Sequence, residues 1–215
     1  VQALKPPAEA TDASSVTRIL AAAETLFSDQ GFDAASMSAI AERAGVSKAN
    51  IFHHFSSKNA LYLAVVKDAC KESQTRLQHL ENGQGSFVDK LVHFAQSQLQ
   101  SMLEHSQTTR LILRDLLENG EHRGKELAEQ VFGQNFARLV KMIREGQVRG
   151  ELRQEIDPAA VAVMLIAINL YFFEARDVLR HYPAVDFADD AQRYIEKMLQ
   201  LMLHGILPLP KEKQQ

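Results

Sequence analysis

Apolar positions recur at helical spacing along almost the whole chain, and no stretch shows sustained polar/apolar alternation. Val16, Ile19, Leu20, Ala23, Leu26 and Phe27 form one stripe, with Gly31 as its stop. A short segment follows from Ser36 to Ala44, with Ile40 and Ala41 facing inward, and Gly45-Val46 makes a tight break. Ser47 is a suitable N-cap for a short helix, Lys48 to His54, and Ser57 caps a longer one from Lys58 to about Leu80. Further helices are expected from Ser86 to about Glu104 and from Thr108 to Glu118. Gly120 is expected to separate the latter from a helix spanning Glu121 to Val148, which Gly150 closes. Asp157-Pro158 places an N-cap and a first-turn proline ahead of the most apolar run, Ala159 to Phe173. Pro183 ends that helix. A last one runs from about Phe187 to Gly205, with Pro208 and Pro210 beyond it. The reading is all-α, with about nine helices.

Helices are short with tight turns before residue 60 and long after it. The expected organisation is a flexible tail over 1–14, a helix-turn-helix domain over 15–62, a larger helical domain over 63–208 and a tail over 209–215. The shared helix from Lys58 would couple the two domains.

Composition removes several classes of function. Of 215 residues, 46% are apolar and 24% charged, as in soluble globular proteins. The single cysteine, Cys70, rules out an intramolecular disulfide and a zinc site built on several thiolates. It lies on a long helix without an activating base and reads as a small core residue. No signal peptide is visible. The fifteen-residue run Ala159–Phe173 falls short of the ~18–20 residues of a membrane span and reads as a helix buried on most sides. These features favour a cytoplasmic protein with no membrane association. No paired carboxylates, phosphate loop or nucleophile elbow suggests an enzyme, and no cofactor is implied.

The chemistry is concentrated between Ser36 and Lys58. Two short helices joined by a glycine-containing turn make a helix-turn-helix, whose second helix enters the DNA major groove. That helix would present Lys48, Ala49, Asn50, His53 and His54, with Ile51, Phe52 and Phe55 supplying most of its apolar side. With a formal net charge of −3, the chain cannot coat nucleic acid by charge alone. From Arg43 to Lys58, however, there are three basic residues, two histidines and no acid. Ser36, Ser38 and Ser47 sit at helix starts, where hydroxyls and free N–H groups meet phosphate. Lys58 can do the same. Lys48 can reach guanine or a phosphate, Asn50 can pair with adenine, and His53 and His54 can donate to phosphate. Adjacent on a helix, the two histidines point about 100° apart and chelate one metal poorly. Each serine is also a plausible ordinary cap and each lysine a plausible solvated charge; the reading rests on the whole segment.

From Val16 to about Val66 the chain resembles the DNA-binding domain of the TetR family of bacterial transcriptional repressors. The matching stretches are Ile19–Phe27, Gly31-Phe32, Ser38–Ser47, Ile51–Phe55 and Ser57-Lys58. The resemblance implies a homodimer that binds a palindromic double-stranded operator and releases it when a small ligand enters the C-terminal domain. It places operator contacts at Ser36 or Ser38, Ser47, Lys48, Asn50, His53, His54 and Lys58. In one departure, Phe52 stands where the family commonly has a tyrosine whose hydroxyl meets phosphate.

The helices near 158–181 and 187–205 are apolar beyond a single stripe. A symmetric four-helix contact between two chains would bury the excess, and the resemblance points to the same pair. Candidate effector contacts are Leu103, Arg110, Leu113, Phe132, Phe136, Asn169, Phe172 and Phe173, a mainly hydrophobic lining. Asn169 lies inside an apolar run and needs hydrogen-bond partners; it could equally specify the dimer. The competing function is a DNA-binding regulator without a small ligand, constitutive or gated by a protein partner.

Overall fold

The computed structural model describes residues 8–82 and 85–206. Among them are nine α-helices, one π-helix and no strand. The order is α1 (Ala8–Gln30), α2 (Met37–Ala44), α3 (Lys48–His54), α4 (Lys58–Asn82), α5 (Phe87–Glu104), α6 (Ser106–Leu127), the π-helix Ala128–Phe132, α7 (Gly133–Val148), α8 (Pro158–Leu179) and α9 (Ala191–Ile206).

The chain divides into two compact units, one made of Val1–Lys71 with His105–Val131 and the other of Glu72–Glu104 with Phe132–Gln215. This differs from the expected division after residue 62. The boundary falls inside α4, and α6 belongs with the first unit. Long-range polar contacts give the reason: Arg114 donates to the Phe27 carbonyl at 3.0 Å, and Thr108 hydrogen-bonds Glu24. Helical periodicity carries no trace of pairings this distant in sequence.

Several helix ends also differ. Helix α1 starts at Ala8, inside the segment expected to be a tail. Helix α6 runs through Gly120, because a lone glycine lowers helix stability by only ~1 kcal/mol and its neighbours outweigh it. The regular α-helix is instead interrupted at Ala128–Phe132 by a π turn. Helix α9 starts at Ala191, where Asp190 accepts from the Arg193 N–H at 2.9 Å. The expected tail over 209–215 and the stops at Pro208 and Pro210 lie outside the described residues.

In the first unit, Ile19, Phe27, Ile40, Ile51, Leu61 and Tyr62 are fully buried. The rings of Phe27 and Phe32 each meet Tyr62 edge-on, at 5.5 and 5.3 Å. Helix α2 ends in a tight left-handed turn: Gly45 has φ +64°, its N–H reaches the Glu42 carbonyl, and the Val46 N–H reaches the Ala41 carbonyl at 3.0 Å. This pair of bonds closes the helix and turns the chain into α3. A side chain at φ +64° crowds its own carbonyl, so Gly45→Ala is expected to lower the melting stability of the protein by about 1–2 kcal/mol. An unchanged denaturation midpoint would show that the turn can relax into another conformation.

In the second unit, α5 packs on α8 and α9, and α7 on α8. Phe87, Leu91, Leu99, Ile143, Leu165, Phe172, Ile195 and Leu199 form the centre of its core. The connection between α7 and α8 is pinned from inside. Gln147 donates to the carbonyls of Arg153 and Ile156 at 2.9 and 2.7 Å, and Glu151 accepts from the Phe87 N–H at 2.7 Å. Asp157 caps α8 by accepting from the Ala159 N–H at 2.8 Å, with Pro158 in the first turn.

Helix α8 corrects the expectation of a helix buried on most sides. It is 22 residues long, and by length and composition alone it could cross a membrane; only a third of its most apolar window is buried. Val163, Met164, Tyr171 and Val178 on α8 and Leu201 on α9 stand more than half exposed.

Candidate nucleic-acid interface

Helices α2 and α3 owe their starts to serine caps. Ser36 Oγ accepts from the Ala39 N–H and Ser47 Oγ from the Asn50 N–H, both at 3.1 Å. Ser57 does the same for Ala60 at 3.0 Å. A capping hydroxyl uses its lone pair and keeps its own O–H. Ser36, Ser38 and Ser47 are all exposed and can still donate to a phosphate.

The seven residues of α3 sort by angle. At ~100° per residue, Lys48, Phe52, Ala49 and His53 fall within one arc of about 140°, and all four are exposed. Ile51 sits opposite and is fully buried, with Asn50 and His54 beside it, half-buried. Two expectations change. Phe52, assigned to the apolar inner side, is 46% exposed on the outer face. Asn50, expected on the presented side, is half-buried beside Ile51, with its Oδ1 turned inward and without a hydrogen-bond partner. The cause is the shortness of α3. A helix of two turns has one outer arc, and the four residues that share it exclude those flanking Ile51.

Lys58 is committed to the fold. Its Nζ donates to the Asp33 carbonyl at 2.9 Å and lies 4.6 Å from the centre of the Phe32 ring. Two ammonium donors remain for an external acceptor.

Two arginines that sequence reasoning gave no contact role are placed beside the motif. Arg18, on α1, is exposed, and its Nη1 lies 3.7 Å from where a Cβ on Gly45 would stand, so its guanidinium sits over the turn between α2 and α3. Arg43 is exposed in the last turn of α2. Arg18 comes from a helix outside the motif, and only the tertiary structure brings it there.

Behind the motif lies a charged network that the sequence did not suggest. Arg123 on α6 pairs with Asp115 at 3.1 Å and donates to Asn59 Oδ1 at 2.8 Å. Asn59 in turn donates to Glu126 at 2.8 Å. The same guanidinium lies 4.7 Å from the Phe32 ring centre and 4.3 Å from that of Tyr62. Burial, and then the neighbouring Asp115 carboxylate, push the Tyr62 hydroxyl well above the usual phenol range. Thus α6, the start of α4 and the turn after α1 are held as one support for the recognition helix.

The candidate effector contacts fall in both units. Arg110 and Leu113 lie on α6 in the first, exposed and buried respectively; Leu103, Phe132, Phe136, Asn169, Phe172 and Phe173 lie in the second. Leu103 and Phe136 pack against the second unit's core. Phe172 is itself core, with its ring 4.4 Å from that of Tyr194. Asn169 is buried. It donates to the Ala95 carbonyl at 3.1 Å, and its Oδ1 has no partner. A cleft of about 300 Å³ opens in the first unit between Gln30, Phe32, Asp33, Leu111, Arg114 and Glu118. It is polar, and none of the candidate contacts lines it.

A capped helix-turn-helix with a basic outer face, carried by an all-helical chain, defines a DNA-binding transcription regulator. Comparison with known proteins identifies the branch. The model of the bacterial regulatory proteins of the tetR family matches residues 19–65, and that of the tetracyclin repressor-like C-terminal domain matches residues 88–203. The chain belongs to the TetR family of transcriptional regulators. It is 27% identical over 194 residues to the HTH-type transcriptional regulator UidR of Escherichia coli K12, covering 89% of this chain and 92% of that one. Among solved structures, GusR of Salmonella enterica shares the fold with a TM-score of 0.70 at 21% identity, covering 94% of this chain and 97% of that one. The flavonoid-responsive regulator FrrA matches with a TM-score of 0.65 at 26% identity, over 91% and 98%. The family is one of transcription regulators, not enzymes, and UidR is named as one.

Proposed function

We propose that the chain acts in the cytoplasm as a homodimeric repressor that binds a palindromic operator and is released by a small hydrophobic effector. The observation that carries the DNA half is the exposed arc of α3, flanked by the serine caps and by Arg18 and Arg43. Phosphate contacts fall to Ser36, Ser38, Ser47, Arg18, Arg43 and the free donors of Lys58. Lys48 and His53 face the groove. Asn50 and His54 support the helix from its inner flank.

The dimer half rests on the apolar residues left exposed on α8 and α9. The exposed stripe of Val163, Met164, Tyr171 and Val178 on α8, with Leu201 exposed on α9, is costly in water and is covered when two copies pack together. The effector half rests on Asn169. An amide oxygen buried without a partner costs ~1–3 kcal/mol, and a hydrogen-bond donor on an otherwise apolar ligand would satisfy it. The flavonoid response named for FrrA is consistent with such a ligand.

The test is fluorescence anisotropy on duplex DNA from upstream of the chain's own gene against random duplex, at two salt concentrations. Saturable binding at two chains per site is expected. Lys48→Ala should weaken binding and, if Lys48 meets a phosphate, reduce the salt slope by about 1 per subunit; an unchanged affinity and slope would remove Lys48 from the interface. A saturating effector that left operator affinity untouched would sink the release mechanism, because a ligand shifts an equilibrium only by its differential affinity.

A further inference from the structure

We propose that Phe52, together with Ala49, reads thymine 5-methyl groups in each operator half-site; the proposal rests on the operator-binding reading above. Among the described residues from Ser36 to Lys58, Phe52 is the one large hydrophobic side chain that stands exposed, at 46%. Ala49 lies three residues before it, on the same face of α3 and also exposed. The two make an apolar spot with Lys48 on one side and His53 on the other. The Lys48 ammonium on one side and the His53 ring N–H on the other offer donors to a polyanion and argue against another protein's apolar surface as the occupant.

Helix α3 is too short, and its opposite side too fully committed to Ile51, to present any other arc to the groove. The spot therefore meets the major-groove edge itself. That edge carries hydrogen-bonding atoms at every base pair, and its one apolar group is the thymine methyl. A phenyl ring set over guanine or cytosine would strip water from O6, N7 or N4 and return no hydrogen bond, which is unfavourable. Set over a methyl group, it removes apolar surface from water on both sides. A ring without a hydroxyl has no hydrogen bond to give a phosphate, so a base-reading role is the one its chemistry leaves.

The experiment begins by selecting duplexes from a random library with the full-length chain. Each thymine of the selected half-site is then replaced by deoxyuridine, which differs only in lacking the methyl, at the symmetric pair of positions. One or two positions should lose about fourfold in affinity per half-site, the equivalent of one buried methyl. At those positions Phe52→Ala should bind thymine and uracil duplexes alike, while Phe52→Tyr, which keeps the ring, should retain the sensitivity. Because the residue is exposed, both variants should melt with the parent protein. Uracil sensitivity that persists unchanged in Phe52→Ala, or no sensitive position at all, overturns the role of Phe52 and leaves operator binding standing. A selection that enriches no sequence overturns operator binding and this inference with it.

Discussion

Replacing Arg123 by alanine is expected to destabilise the first unit by about 3–5 kcal/mol, the range for breaking one partner of a buried ion pair. The Asp115 side chain is 3% exposed and that of Arg123 13%. Removing the guanidinium leaves a nearly buried carboxylate at the wall of the cleft lined by Phe32, Leu111 and Arg114, without its ion-pair partner. It also takes a donor from Asn59 and a cation from the faces of Phe32 and Tyr62. Urea denaturation reads the total loss. Hydrogen exchange should locate it in α6 and in the turn from Gly31 to Ser36. A loss below ~1 kcal/mol would show that Asp115 finds water or another partner, since that is the value of an exposed pair. The double variant Arg123→Ala, Asp115→Asn should be less destabilised than the sum of the two single changes, because the uncompensated charge has gone.

The second large effect is expected at Met164, 51% exposed on α8. Met164→Glu places a charge at the N-terminal end of the stripe that includes Val163, Tyr171 and Val178. A side chain this exposed can change without disturbing the core, so the circular dichroism and the fold of each chain should persist. A carboxylate carried by each copy into an apolar contact, with no cation to pair it, would not be tolerated. Sedimentation should report a dimer for the parent and a monomer for the variant. Operator affinity should fall by about 10²–10⁴, the advantage of holding two half-site readers on one body. A parent protein that sediments as a monomer would overturn the proposed interface. So would a Met164→Glu variant that stays dimeric and binds as before.

The two cases differ in how far the sequence foretold them. The apolar excess of α8 is visible as composition, because a run such as Ala159–Phe173 cannot be hidden by one narrow stripe. The Arg123–Asp115 pair is not, since nothing in the order of residues ties position 123 to Asn59, Phe32 and Tyr62. Gly120 shows the limit from the other side. Read locally it is a break, yet the helix passes through it, because tertiary contacts on both sides of a weak position decide whether the hydrogen-bond ladder continues.

The sequence by itself determined the helical class, the serine caps at 36, 47 and 57, the tight break at Gly45 and the family of residues 16–66. All of these are set by neighbours within a few positions, where capping, periodicity and glycine geometry operate. Tertiary structure alone decided which side of α3 faces outward, leaving Phe52 exposed and Asn50 half-buried. It also decided the placement of Arg18 over the turn, the membership of α6 in the first unit and the tying of Lys58 to Asp33. Each of these depends on what a side chain meets across the fold, and burial is a property of the packed structure that no short window of residues contains.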